Sequence, residues 1–216
     1  MAYRETQRVR RRKAATREQL LRAAEARVRA GGFAALQIQT VAADAGLGVG
    51  TVYRYFRNRD SLAAEVFQRA TEREVAALVK ALAVPGSAIT RLHHGLSVFA
   101  RRALRAPRLA RALIADPVSP EVEAQRLHYR RDYACHFRTL LEQGMESGSL
   151  PPQPAELSAN ALVGAVAESL AGPVAEHENE SEAVDAVCRF CLRAVGAGAE
   201  IPAADAAPSL EINHEG

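Results

Sequence analysis

The run Gly50-Thr51-Val52-Tyr53-Arg54-Tyr55 is the part of the chain best suited to chemistry. Wound as a helix, Val49, Val52 and Phe56 fall at i, i+3 and i+7 and turn inward. Gly50, Thr51, Arg54 and Tyr55 then share the opposite arc. That arc offers a guanidinium, a hydroxyl, a phenol and bare backbone, and it holds no carboxylate. Donors without acids suit a polyanion, because phosphate oxygens accept from them and an Arg fork matches the acceptor edge of guanine. Periodicity alone leaves a second reading open, a short polar-faced helix inside a bundle.

Residue sets for covalent or metal chemistry are weaker. No Ser/His/Asp or Glu/His set stands at a recognisable spacing, and no Gly-rich loop would cradle a phosphate. Cys188-x-x-Cys191 has the spacing of a redox or zinc pair. No strand precedes it, however, and no second ligand pair lies nearby, so the two cysteines read as small buried groups. His93-His94 and the pair His128/His136 do not converge on one ion, since a spacing of eight on a helix separates the rings. No enzyme activity, metal or cofactor is expected.

The elements that must position the donor arc are helices. Alternating Val/Ile/Thr runs are absent, whereas spacings of three and four recur throughout. Residues 1–13 have no apolar period and read as a mobile basic arm. Thr16 and Gln19 have capping-box spacing, so a first helix is expected from Thr16, with Leu20, Leu21, Ala24 and Val28 inward and Gly31-Gly32 as its stop. A short second helix fits Ile38 to Ala45. Gly46-Leu47-Gly48 separates it from a third helix at 49–56, and helix, Gly turn and helix within about 20 residues has the size of a helix-turn-helix. Asn58 caps a fourth helix reaching Leu82. Further helices are expected at 88–105, 107–115, 121–146, 155–171 and 181–195, followed by an Ala/Pro/acid-rich tail at 198–216 that reads as disordered. The expected fold class is all-α, with a short-helix head at 14–60 and a longer-helix body at 61–197.

Composition agrees with this division. Apolar residues make up 48% and charged residues 25% of the 216, enough to bury a core and stay soluble. The longest uncharged run, Ala30 to Ala43, is too short and too polar to span a bilayer. No signal segment is expected from the basic opening, and three cysteines are too few for a disulfide framework, so the cytoplasm is the expected location. Residues 1–60 hold 13 Lys/Arg against 5 Asp/Glu, and the rest holds 15 against 20. Codon bias explains why Arg outnumbers Lys 26 to 2, but not why the positive charge gathers at one end. A basic head on an acidic body suits contact with nucleic acid.

The stretch from Ala45 to Leu62, Ala-Gly-Leu-Gly-Val-Gly-Thr-Val-Tyr-Arg-Tyr-Phe-Arg-Asn-Arg-Asp-Ser-Leu, resembles the signature of the TetR family of bacterial transcription regulators. Gly32-Phe33 and Val41-Ala42 match the pattern too, and the resemblance covers about residues 14–65. It implies a head that binds a double-stranded DNA operator, a helical body that binds a small-molecule effector, and a homodimer. It also implies that Gly50 lets the backbone approach the duplex, Thr51 touches a base or phosphate, and Tyr53 and Tyr55 hold phosphates. Arg54 is then the direct reader of a base, Arg59 a phosphate clamp, and Thr40 a backbone contact. Gln37 and Gly48 replace the usual hydroxyl caps, which leaves their phosphate contacts in doubt, although Gln37 keeps a donor. Arg8 to Lys13 would follow a minor groove or only raise the local charge. The resulting expectation is a homodimeric repressor released from a palindromic operator by a largely apolar ligand. The alternatives are a helical ligand-binding or protein-interaction module without DNA binding and, more distantly, a helical enzyme.

In the body, Tyr129, Tyr133, His136 and Phe137 lie on or beside one stripe of a long helix. Phe67, His93, Phe99 and Glu168 are candidates on neighbouring helices. Aromatic rings with a few polar tips make up small-molecule sites, although plain core is an equally simple use for each residue. Ala161, Gly164 and Ala165 form a small-residue face that permits close helix approach. Val184, Val187, Cys188, Cys191 and Val195 stack on one stripe of the last helix. Together these two faces are the expected dimer interface, a four-helix core.

Overall fold

Capping side chains and left-handed glycines punctuate the chain. The computed structural model describes residues 7–171 and 179–197, and every regular element among them is helical. The head contains α1 (Gln7–Gly31), a 3-10 turn (Phe33–Ala35), α2 (Ile38–Asp44) and α3 (Val49–Tyr55). From there α4 (Arg59–Leu82) leads into the body, built from α5 (Ala88–Arg105), α6 (Pro107–Ile114), α7 (Pro120–Glu146), α8 (Ala155–Ala171) and α9 (Glu180–Ala194). The expected disordered tail and the first six residues of the expected arm lie outside the described residues.

The stops have local causes. Gly32 at φ 69 and Gly46 at φ 61 take the left-handed conformation that ends α1 and α2. Asn58 accepts from the Ser61 amide at 2.8 Å while the Ser61 hydroxyl caps Asn58 in return, a reciprocal box that starts α4. Ser87 does the same work for α5 through the Thr90 amide, and Pro107 and Pro120 occupy first helical positions in α6 and α7.

One boundary differs from expectation. The first helix already includes Gln7, well before Thr16, so residues 7–13 are helical where a mobile arm was expected. Thr16 sits mid-helix with its hydroxyl donating to the Arg12 carbonyl at 3.1 Å, and Gln19 donates to Ala45 at the end of α2 at 2.7 Å. Straight-chain Arg, Lys and Gln are strong helix formers and need no apolar stripe to continue a helix outward.

Two apolar cores result. The body core gathers α5, α7, α8 and α9 with the C-terminal half of α4, including Leu92, Leu96, Phe137, Leu141, Leu170 and Leu192. The head core gathers Leu20, Val28, Phe33, Val41, Val52 and Phe56. It continues through α4 as far as Ala70 and takes in Leu109, Ala112 and Val122 of the body. The residue-60 boundary thus falls in the first turn of α4, while the head's packing runs well past it.

Candidate nucleic-acid interface and cavity

Seven residues make α3, too few to hold a helix by backbone bonds alone, so its anchors decide its attitude. Val52 is fully buried, and the following Phe56 is also buried in the head core. Val49, expected inward, is 36% exposed, because the chain enters α3 from the loop at Gly48 before the helix meets α2. Opposite the anchors, Gly50 and Arg54 are exposed, Tyr53 is 53% exposed, and Thr51 is half-exposed. Tyr55 is half-buried and lays its ring against the head core. A Cβ built on Gly50 meets nothing within 4 Å, so no packing contact within the chain requires a glycine there.

The neighbouring candidates have mixed positions. Thr40 is half-exposed, with its hydroxyl donating to the Gln37 carbonyl at 2.8 Å. Gln37 caps α2 by backbone only, and its exposed side chain donates to Ala34 at 3.2 Å. Arg59 departs from the clamp role expected of it. Its Nε donates to the Leu36 carbonyl at 2.7 Å and one Nη to Phe33 at 2.5 Å, which ties α4 to the 3-10 turn. The Phe33 carbonyl also accepts from the Leu36 amide at 3.2 Å, so Arg59 adds a second donor there, and the donors engaged on these carbonyls are not free for a phosphate.

Ion pairs brace the head from outside. Arg69 holds Glu18 at 2.6 Å, Arg27 holds Asp44 at 2.5 Å, and Arg17 and Arg73 pair with Glu65 and Glu25. Hydrogen bonds from the guanidinium groups hold the Glu18 and Asp44 carboxyls below their ordinary range. These pairs use most of the head's carboxylates on the α1–α4 side, whereas the exposed arc of α3 has none.

A cavity of about 300 Å³ lies in the body between α4, α5, α6, α7 and α8. Five of the eight sequence candidates line it, namely Phe67, Phe99, Tyr129, Tyr133 and Phe137. His93, His136 and Glu168 do not. His93 is half-buried beside Asp185 of α9, and burial lowers its pKa, while Glu168 is exposed on α8. In the wall, Phe99 meets Tyr133 edge-on at 5.3 Å, and Tyr129, Phe67 and Phe33 follow one another at 6.2 and 6.3 Å. That series runs from the cavity into the head core. Burial raises the pKa of the Tyr133 phenol, which therefore stays a neutral donor.

Lining residues that the sequence reading missed include Thr71, Arg102, Leu109, Leu113, Arg126 and Val166. Arg126 was within reach of the pattern, one turn before Tyr129 and Arg130 on the same face of α7. Its guanidinium is almost buried. It donates to the carbonyls of Leu113 at 3.0 Å and Asp116 at 2.8 Å, pairs with Glu123 at 2.5 Å, and lies 6.0 Å from the Phe67 ring. The end of α6 is thereby fixed to α7. From there Asp116 accepts from the Phe33 amide at 3.2 Å, and Arg108 donates to the Ala30 carbonyl at 2.5 Å. Asp116 also stands where a Cβ on Gly32 would have to go.

The expected dimer stripes separate. Ala161 and Gly164 are exposed and Ala165 is half-exposed, and nothing lies within 4 Å of a Cβ built on Gly164. Leu157, at 68% exposure, stands one turn before Ala161 on that face. Val184, Val187, Cys188, Cys191 and Val195, by contrast, are buried in the chain's own body core against α5 and α8. The stripe was real but faces inward. The outer face of α9 carries Phe190 at 55% exposure. Burial raises the pKa of Cys188 and pushes Cys191 up to about 12, so neither is a thiolate near neutral pH. Among the described residues all three cysteines are free, and no helix is long and apolar enough to cross a membrane.

Comparison with known proteins bears on both halves. Residues 20–66 match the family model of bacterial regulatory proteins, tetR family. Solved structures share the fold over most of the chain. A tetR-family regulatory protein from Rhodococcus has a TM-score of 0.70 at 21% identity, covering 84% of this chain and 97% of its own. The transcriptional regulator FadR from Bacillus subtilis, solved in complex with stearoyl-CoA, has a TM-score of 0.70 at 17% identity, covering 83% and 98%. A TetR transcription regulator from Haloarcula marismortui has a TM-score of 0.72 at 18% identity, covering 84% and 97%. No curated protein matches by sequence. The head thus matches that family model over residues 20–66, and the chain shares its fold with solved regulators of the family.

Proposed function

We propose that the protein is a homodimeric repressor whose two α3 helices enter successive major grooves of a palindromic operator, and that a small, largely apolar ligand in the body cavity releases it. The observation that carries this reading is the double use of α4 and α6. Phe67 lines the cavity and belongs to the head core, as does Leu109. A ligand that repacks the cavity wall therefore bears on residues that support α3. FadR from Bacillus subtilis, solved with stearoyl-CoA, supports a ligand with a long apolar chain for a protein of this fold. The exposed Leu157, Ala161, Gly164 and Phe190 faces are where a second copy would pack, and a two-fold pair on DNA needs its recognition helices about 34 Å apart, or a multiple of it.

In this reading Arg54 reads a base, Gly50 admits the duplex, and Thr51, Tyr53 and Tyr55 hold it in register. The ligand's differential affinity for the DNA-bound and released states sets how far release can go. The family and fold belong to regulators, and no catalytic step is assigned. Footprinting on the region upstream of the protein's own gene tests the proposal. One short symmetric protected site is expected. No protection under any condition would favour a ligand-binding module that does not bind DNA.

A further inference from the structure

We infer that the cavity selects amphiphiles, with an apolar tail along the aromatic wall and an anionic head held by Arg105 and Arg130. This deepens the effector reading above and rests on it. The body as a whole is acidic, with 15 Lys/Arg against 20 Asp/Glu beyond residue 60. The cavity reverses that balance, since five arginines and a single carboxylate, Glu74, line it.

Glu74 is already neutralised by Arg102 through two hydrogen bonds of 2.7 and 2.9 Å. Arg126 has Glu123, and Arg29 has Glu25. Arg105 and Arg130 pair with no carboxylate among the described residues, although Arg130 makes a long contact of 3.4 Å to the Ile114 carbonyl. Arg130 also stands near enough to Arg126 to repel its charge. A position in the last turn of α5 would favour Arg105 on the helix dipole alone, but Arg130 lies in the interior of α7 and has no such reason.

Further in, the Thr71 hydroxyl is buried with no hydrogen-bond partner, so a polar ligand atom would complete it. Arg105 and Arg130 are exposed, so water solvates both in the free protein, and a neutral apolar ligand would leave only the buried Thr71 hydroxyl unanswered. An anionic head would gain charge-assisted, fork-shaped hydrogen bonds.

Titration calorimetry on the full, DNA-free chain tests this with probes sharing one tail, each below its micelle concentration. The probes are dodecanoate, dodecyl phosphate, dodecanol and dodecyltrimethylammonium. Both anions are expected to bind about tenfold tighter than the alcohol, or better, as a charged hydrogen bond allows. The stronger of the two tells carboxylate from phosphate. Arg105→Gln and Arg130→Gln, with melting curves confirming their folding, should remove most of that advantage and leave dodecanol unchanged. Equal binding of alcohol, cation and anions overturns the head-group inference while the cavity stays an effector site. Binding of none of the four overturns both.

Discussion

Gly50 is the residue whose identity says most. Inside a helix Ala is favoured over Gly by about 0.5–1 kcal/mol, and nothing in the chain fills the space a Cβ would take. Gly50→Ala is therefore expected to leave thermal melting unchanged or slightly raised. If the backbone there lies on a duplex, the same methyl lowers DNA affinity several-fold, read by fluorescence anisotropy. In the proposed interface, Arg54 and Tyr55 divide the remaining work. Arg54→Ala should relax base preference at one position per half-site, at about 1–3 kcal/mol of discrimination in a selection experiment. Tyr55→Phe should weaken all sequences alike. The outward placement of Gly50 and Arg54 was legible because an arc with donors and no acids needs only a helical period to be seen. The staple role of Arg59 was not, because its partners, the Phe33 and Leu36 carbonyls, lie 26 and 23 residues away and belong to a 3-10 turn that has no apolar period.

At the scale of elements, α6 is the hinge of the account. Pro107 starts it, Arg126 holds its C-terminal carbonyls, and Arg108 and Asp116 tie it to the end of α1. Arg126→Ala removes an almost buried charge and leaves several carbonyls without donors. A loss of about 2–4 kcal/mol is expected, seen as a lower melting temperature. Helix spans were legible wherever punctuation was strong, as at Asn58, Ser87 and Pro107. The start of α1 was not, since the Arg/Lys run propagates a helix without a buried face. The stripe of Val184, Cys188 and Cys191 shows a different limit. An apolar period says that a face is buried, but whether the cover is the same chain or a second copy depends on where α5 and α8 pack.

For the whole molecule, a basic head joins an acidic body, and the proposed partners of the two differ. The exposed faces around Leu157, Ala161, Gly164 and Phe190 are where a second copy is expected. Phe190→Asp places a charge on that face without touching either core. It should shift the chain toward monomer in sedimentation and weaken operator binding in parallel, since one head engages only half a site. Cavity residues on separate helices, such as Thr71 with Val166, could not be joined from sequence because only packing brings them together. The most direct test of the central claim is the affinity of the full chain for its own upstream region and for a scrambled duplex, both at about 150 mM salt. The account predicts a preference of at least about a thousandfold. Equal affinity for the two duplexes would contradict it.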